Sequence, residues 1–165
     1  MHIKEDNNSF INTVLGTIRI SGNSNGISEV SFLEERFDEK ILVIDSHIEC
    51  AKQLNEYFEG KRKTFDFPFA QTGTDFQQRV WKNLLDIPFG ETTSYLELSK
   101  KIGDVKAIRA VGSANGKNNI AIVIPCHRVI GSNNKLVGYA GGLWRKEWLL
   151  KHEMSFSPVK EGMLF

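Results

Sequence analysis

The chain has 165 residues, of which 41% are hydrophobic and 25% charged, with a net charge of +1, a composition typical of a globular protein of one or two domains. It has no run of about 18 apolar residues that could span a membrane, and its first ten residues, MHIKEDNNSF, lack the basic and apolar regions of a secretory signal. These features exclude a membrane protein and predict a cytoplasmic one, in which the two cysteines remain free thiols.

The first part of the chain predicts a small antiparallel sheet. Apolar and polar residues alternate with a period of two in TVLGTIRIS (13–21) and ISEVSF (27–32). The residues SGNSNG between them are typical of a turn, and KILVID (40–45) is a third candidate strand.

A helix follows these strands. Ser46 and Glu49 have the spacing of a capping box at its start, and Gly60 ends it. Its predicted apolar face consists of Ile48, Ala51, Leu54, Tyr57 and Phe58. Cys50 lies near this face, where a small packing residue is the simplest interpretation.

The segment KRKTFDFPFAQTGT (61–74) is interpreted as an extended linker, after which the pattern changes to helices. Thr74 and Gln77 predict a capping box for a helix that Pro88 and Gly90 stop. Its predicted apolar face consists of Phe76, Val80, Trp81, Leu84 and Leu85. The domain boundary is therefore placed between residues 70 and 71, giving domains 1–70 and 71–165.

Two further helices have the outline of a helix-turn-helix. Ser94 and Glu97 cap the first, YLELSKKI, which Gly103 ends. The second spans residues 106–114, and its predicted inner face consists of Ala107, Ile108 and Val111. Its other side presents Arg109 among small residues, so it could approach a narrow groove closely. Close packing within the protein is the alternative reason for Gly112, which lowers helix propensity.

Charge divides unevenly between the two parts of the chain. The first 70 residues carry 8 Lys/Arg and 12 Asp/Glu, a net charge of −4, and the remaining 95 carry 13 and 8, a net charge of +5. A second domain that faces nucleic acid would give this asymmetry. A chance distribution of surface charges is the alternative.

The residue types around Cys126 are compatible with an activated nucleophile. An apolar run from Ile120 to Ile124, interpreted as a buried strand or extended segment, precedes Pro125 and Cys126. A thiol with an ordinary pKa of about 8.5 needs a base or a positive charge to react as the thiolate. His127 could supply the base and Glu153 could orient it. A buried, inert thiol remains the alternative on these residues alone, and no zinc pattern is present.

Four motifs of the second part resemble those of the methylated-DNA–protein-cysteine methyltransferases, or O6-alkylguanine-DNA alkyltransferases. They are IPFGETTSYLELSKKIG, RAVGSANGKNN, IPCHRVIG and GYAGGLWRKEWLLKHE, which together cover most of residues 74–153. PCHRV is highly specific to this family and its close relatives. The resemblance implies an α+β fold, with a ribonuclease-H-like α/β domain of one small antiparallel sheet and a helix, then a mostly helical domain with a winged or helix-turn-helix DNA-binding motif.

The resemblance also implies the chemistry of the site. Cys126 matches the residue that accepts an alkyl group from guanine O6, or from thymine O4, in one irreversible displacement after the nucleotide is flipped out of the duplex. His127 matches the base that removes the thiol proton through a water molecule, and Glu153 its carboxylate partner. Asn118 matches the organiser of this network, and Tyr95 the donor of a proton to guanine N3.

The same resemblance implies how double-stranded DNA is bound. Arg109 matches the finger that fills the gap left by the flipped nucleotide, and the thin helix fits the minor groove. The predicted DNA-binding residues are Tyr95, Arg109, Ala110, Gly112, Ser113, Ala114 and Arg128. The predicted pocket for the base consists of Val137, Gly138, Tyr139, Ala140 and Gly141. Ala140 stands where many members have Ser, which leaves the backbone N–H for recognition.

Neither a metal nor a cofactor is implied, because the chain lacks the cysteine and histidine cluster that binds zinc in some members. The expected partner is double-stranded DNA that contains O6-alkylguanine, bound by a monomer. Two other classes stay open: a lesion sensor that does not react, against which Cys126 argues, and a cysteine hydrolase, which would need an oxyanion site and an acyl pocket.

Overall fold

The structure, a computed structural model, describes residues 7–36 and 43–157, and the chain divides into two compact units between Thr72 and Gly73. The first unit contains a three-stranded antiparallel sheet of order β1-β2-β3. The strands are β1 (Asn8–Thr13), β2 (Gly16–Asn23) and β3 (Gly26–Phe32). The segment 13–21 is therefore not one strand, as the alternation predicted, because a tight turn at residues 14 and 15 divides it between β1 and β2.

One glycine of this sheet is required by close approach. The register of β2 against β3 shifts between Ser21 and Gly22, which places Gly22 at φ +147°. A Cβ atom at this position would collide with the backbone oxygen of Gly26. Glycine alone fits this bulge, which bends the sheet.

The helix of the first unit begins later than predicted. Helix α1 (Ile48–Phe58) follows a 3-10 helix over Asp45–His47, and no side chain caps it, so the capping box predicted at Ser46 is wrong. His47 occupies the N-cap instead, and its buried ring bonds to Ser9 Oγ at 2.7 Å and to the Gly22 carbonyl at 2.9 Å. Residues 40–42 of the third candidate strand lie outside the described residues, and residues 43 and 44 form no strand.

The predicted linker belongs partly to the first unit. Phe69 bridges to Ile27 in parallel, with the Ile27 N–H donating to the Pro68 carbonyl and the Ala70 N–H to the Ile27 carbonyl, both at 2.9 Å. Cys50 is 1% exposed on the inner face of α1, as a packing residue would be.

The second unit consists mainly of helices. They are α2 (Asp75–Leu84), α3 (Tyr95–Ile102), α4 (Ile108–Gly116) and α5 (Leu143–Ser155), with a parallel pair of two-residue strands, β4 (Thr93–Ser94) and β5 (Val129–Ile130). The capping box of α2 is confirmed, since Thr74 and Gln77 bond reciprocally. The α+β fold class is likewise confirmed. Among the residues that the structure describes, no helix has the length and apolar character to cross a membrane.

The helix-turn-helix pair is present with a small shift in register. Helix α3 ends at Gly103, whose φ of +95° suits glycine, and Asp104 caps a 3-10 turn that delays α4 by two residues. Three residues predicted to face inward are 38–49% exposed, and each lies at an end of its helix. They are Ile48, Leu85 and Ile108.

Candidate active site

The segment before Cys126 is a buried pair of turns, and the prediction of a strand there is wrong. A γ-turn centred on Ile122, whose φ is +70°, is closed at 2.8 Å by the N–H of Val123. A second γ-turn, centred on Pro125, is closed at 2.8 Å by the N–H of Cys126. Positive φ at a β-branched residue costs about 1–3 kcal/mol, so other contacts must hold this shape.

The Asn118 side chain supplies those contacts. Its Nδ2 donates to the Ile124 carbonyl at 2.8 Å and lies 3.3 Å from the Cys126 Sγ, while its Oδ1 accepts from the Ile120 N–H at 3.1 Å. One amide therefore fixes the turn and contacts the thiol. It also gives the buried backbone the partners that a neighbouring strand would otherwise provide.

Cys126 is buried, with 7% of its surface exposed. Burial raises the pKa of its thiol, although the hydrogen bond from Asn118 and the positive charge of Lys146 act in the opposite direction. The resting sulfur therefore carries its proton at neutral pH. Reaction as a nucleophile requires a base that takes this proton.

His127 and Glu153 form a buried pair beside this cysteine. The His127 Nε2 lies 2.5 Å from Glu153 Oε2. The second carboxylate oxygen accepts from Arg128 Nε at 2.7 Å and from the Gly90 N–H at 3.1 Å. Burial by itself would raise the pKa of Glu153, but His127 and Arg128 hold it well below its usual range. Glu153 is therefore a carboxylate, fixed through both of its oxygens.

This arrangement determines the tautomer of the imidazole. Burial lowers the pKa of His127 more than Glu153 raises it, so the ring is neutral at rest. Because a carboxylate only accepts, Nε2 carries the hydrogen, and Nδ1 keeps its lone pair. Nδ1 is buried and has no hydrogen-bond partner in the described part of the chain. It is the atom that can accept a proton.

Tyr95 lies at the start of α3, next to the segment predicted to form the base pocket. Its hydroxyl donates to the Val137 carbonyl at 3.2 Å. Burial raises the pKa of Tyr95, and the nearby Cys126 adds to the effect. The phenol therefore keeps its proton and can donate it. In the predicted pocket, Gly138 has φ +63°, and Tyr139 is half-buried.

The predicted DNA-binding face of α4 is only partly as expected. Arg109, Ala110 and Ser113 are exposed, and Gly112 is half-buried. Ala114 is 2% exposed and accepts from the Trp81 indole at 2.9 Å, so it faces the core. The prediction that Ala114 lies on the DNA-binding face is therefore corrected, because α4 turns this residue inward.

Arg128 is a second correction. It is 6% exposed and donates to Glu153 and, at 2.6 Å, to the Ile87 carbonyl. These hydrogen bonds hold the guanidinium inside the protein, away from the exposed surface that a DNA contact requires. Sequence spacing gave no indication of this, since Ile87 lies 41 residues earlier.

Lys146 is a functional candidate that the sequence analysis missed. It is fully buried, on the same face of α5 as Leu149, Leu150 and Glu153. The sequence did contain an indication of this. Lys146 lies three, four and seven residues before these inward residues, which is the spacing of residues on one face of a helix. Within the described ranges, no group of three or more His, Cys, Asp or Glu residues could hold a metal ion.

Comparison with known proteins identifies the family. A family model described as "6-O-methylguanine DNA methyltransferase, DNA binding domain" matches residues 75–155, and one described as its "ribonuclease-like domain" matches residues 8–71. The methylated-DNA–protein-cysteine methyltransferase of Methanosarcina acetivorans is 49% identical over 148 residues, covering 86% of this chain and 94% of the relative. The chain belongs to the 6-O-methylguanine DNA methyltransferase family.

Solved structures of this methyltransferase family agree. The crystal structure of Mycobacterium tuberculosis O6-methylguanine methyltransferase is 43% identical with a TM-score of 0.79, and the match covers 92% of this chain and 94% of that one. The M. tuberculosis protein in complex with DNA is 45% identical with a TM-score of 0.81, covering 90% and 93%. The resemblance stated from the four motifs is thereby confirmed.

Proposed function

We propose that this protein repairs DNA by moving the alkyl group of O6-alkylguanine, and of O4-alkylthymine, irreversibly onto its own Cys126. The hydrogen-bonded line from Arg128 through Glu153 to His127, beside a buried thiol, carries the proposal. In this step a bond forms between Sγ and the alkyl carbon as the bond from that carbon to O6 breaks. The electron pair passes to the guanine, and the thioether that remains ends the single turnover.

His127 acts as the general base. Its Nδ1 takes the thiol proton, directly or through one water molecule, and Glu153 stabilises the imidazolium that results. The raised pKa of the Cys126 thiol supports this role, because a thiol that is protonated at rest needs a base during reaction. The Nδ2 of Asn118, 3.3 Å from the sulfur, holds it in place.

Tyr95 acts as the acid. The guanine leaves as an anion unless it receives a proton, and a phenol with a raised pKa can give one to N3. The segment from Val137 to Gly141 reads the base through its backbone groups. Tyr95 already contacts that segment through the Val137 carbonyl.

The exposed face of α4 binds duplex DNA from the minor groove. A base inside a duplex must be flipped out before its O6 can be attacked, which costs a few kcal/mol. Arg109, exposed on a helix with small neighbours, fills the space that is left. The protein acts in the cytoplasm as a monomer, and its phosphate contacts make binding weaken as salt increases.

A titration tests this proposal. Increasing amounts of duplex with one O6-methylguanine are incubated with a fixed amount of protein, and unmodified guanine is quantified. We expect a plateau at one repaired duplex per protein molecule and none with Cys126→Ser. Repair that continues beyond this plateau would indicate a hydrolase, and lesion binding without repair would indicate a sensor; either result would overturn the proposal.

A further inference from the structure

Lys146 is a buried cation with an unusual set of partners. Its Nζ donates to the carbonyls of Val129 at 2.6 Å, Val137 at 3.1 Å and Gly138 at 3.1 Å. An ammonium has three N–H donors, and three carbonyls accept them. Among the described residues, no carboxylate forms an ion pair with Lys146. These carbonyls are therefore what stabilises the charge.

The three carbonyls belong to two different parts of the site. Val129 begins β5, the strand that leads away from Cys126, whereas Val137 and Gly138 begin the predicted base pocket. The Val137 carbonyl accepts from the Tyr95 hydroxyl as well as from Lys146. One ammonium therefore connects the cysteine segment, the base pocket and the proposed proton donor.

We infer that Lys146 is a positioning residue that fixes the base pocket and Tyr95 relative to Cys126, so that its charge contributes much more to reaction with a bound base than to the reactivity of the thiol by itself. This inference rests on the proposed function. A displacement of about 1 Å in such a site costs about a hundredfold in rate.

The inference gives the reaction a dependence on pH. Burial lowers the pKa of Lys146 to about 8, although the nearby Cys126 acts to raise it. Above this pH the neutral amine has two N–H donors for three carbonyls, so the pocket loosens. Three other titratable groups lie near Lys146. Cys126 and His127 affect the ionisation of the thiol, and Tyr95 loses its proton only above pH 10.

Two rates measured on each protein separate positioning from thiol reactivity. The first is transfer from duplex O6-methylguanine, and the second is alkylation of Cys126 by iodoacetamide, which needs no base pocket. Lys146→Met keeps the length of the side chain but removes every donor. Lys151→Met is the matched control, because Lys151 lies on the same helix, 64% exposed, in a surface ion pair.

We expect Lys146→Met to lose about a hundredfold in the duplex rate. The iodoacetamide rate at Cys126 should fall much less, and only because the ammonium no longer lowers the pKa of the thiol. Lys151→Met should change neither rate. Equal losses in both rates, or none in either, would overturn the inference. A wild-type protein that took no methyl group would instead overturn the proposed function.

A measurement on the unaltered chain covers the case in which Lys146→Met does not fold. The ratio of the duplex rate to the iodoacetamide rate cancels the ionisation of the thiol, which is common to both. At constant ionic strength this ratio should fall as the pH rises through about 8, in the wild type and in Lys151→Met alike. A ratio that stays level from about pH 7 to 9.5 would contradict the role of the ammonium.

Discussion

Gly112→Ala is expected to stabilise the protein while it slows repair. A Cβ atom at this position would lie 3.8 Å from Tyr95 Cδ1 and Cε1, which is ordinary van der Waals contact, so packing within the protein does not require glycine. Alanine inside α4 should then add about 0.5–1 kcal/mol to the free energy of unfolding. With a slope of about 2 kcal/mol per molar urea, the midpoint should rise by about 0.3–0.5 M.

The added methyl group should obstruct DNA. If α4 approaches the minor groove as proposed, one extra methyl at a close contact costs about 1–3 kcal/mol, or about 5- to 150-fold in the duplex rate. Reaction with the free base O6-benzylguanine serves as the control, because it needs Tyr95 and Cys126 but not the groove. Lower stability would show that glycine is required internally, and an unchanged duplex rate would refute the close approach.

The remaining predictions concern three other residues. Arg109→Ala should slow transfer from duplex DNA far more than from the free base, because only flipping needs the finger, and equal losses would remove that role. Glu153→Gln should destabilise the fold by about 3–5 kcal/mol at pH 7, since it leaves the buried charge of Arg128 unpaired. The pKa of Glu153 is lowered on folding, so its contribution is complete above about pH 4 and is lost at lower pH. Urea unfolding of the wild type and of Glu153→Gln should therefore give free energies of unfolding whose difference narrows between about pH 4 and 2. A difference that stays constant over this range would contradict the prediction. Burial raises the pKa of Cys50 to about 12, so iodoacetamide at pH 8 should label it only after unfolding, and labelling in the native protein would contradict its burial.

The parts of the fold that follow local rules could be predicted from the sequence. The capping box of Thr74 and Gln77 depends on residues three apart, and the stop of α3 depends on Gly103, whose left-handed conformation suits glycine. Ser46 and Glu49 have the same spacing but form no cap, because buried contacts of His47 place the N-cap of α1 one residue later. Spacing alone does not distinguish these two cases.

The arrangement of the active site likewise could not be predicted from sequence spacing alone. The residue types around Cys126 indicated a thiol, a base and a carboxylate, but their order in space depends on contacts between distant segments. Arg128 lies next to His127 in sequence and was predicted to bind DNA, whereas a carbonyl 41 residues away holds it inside. The strand predicted before Cys126 is a turn because the Asn118 amide satisfies its backbone.

The most direct test of the proposed function is the mass of the intact protein after it reacts with duplex DNA containing O6-methylguanine, followed by peptide mapping. The proposed mechanism predicts a single gain of about 14 Da, confined to Cys126. No gain, with tight binding to the lesion retained, would contradict alkyl transfer and would favour a protein that recognises the damaged base without reacting with it.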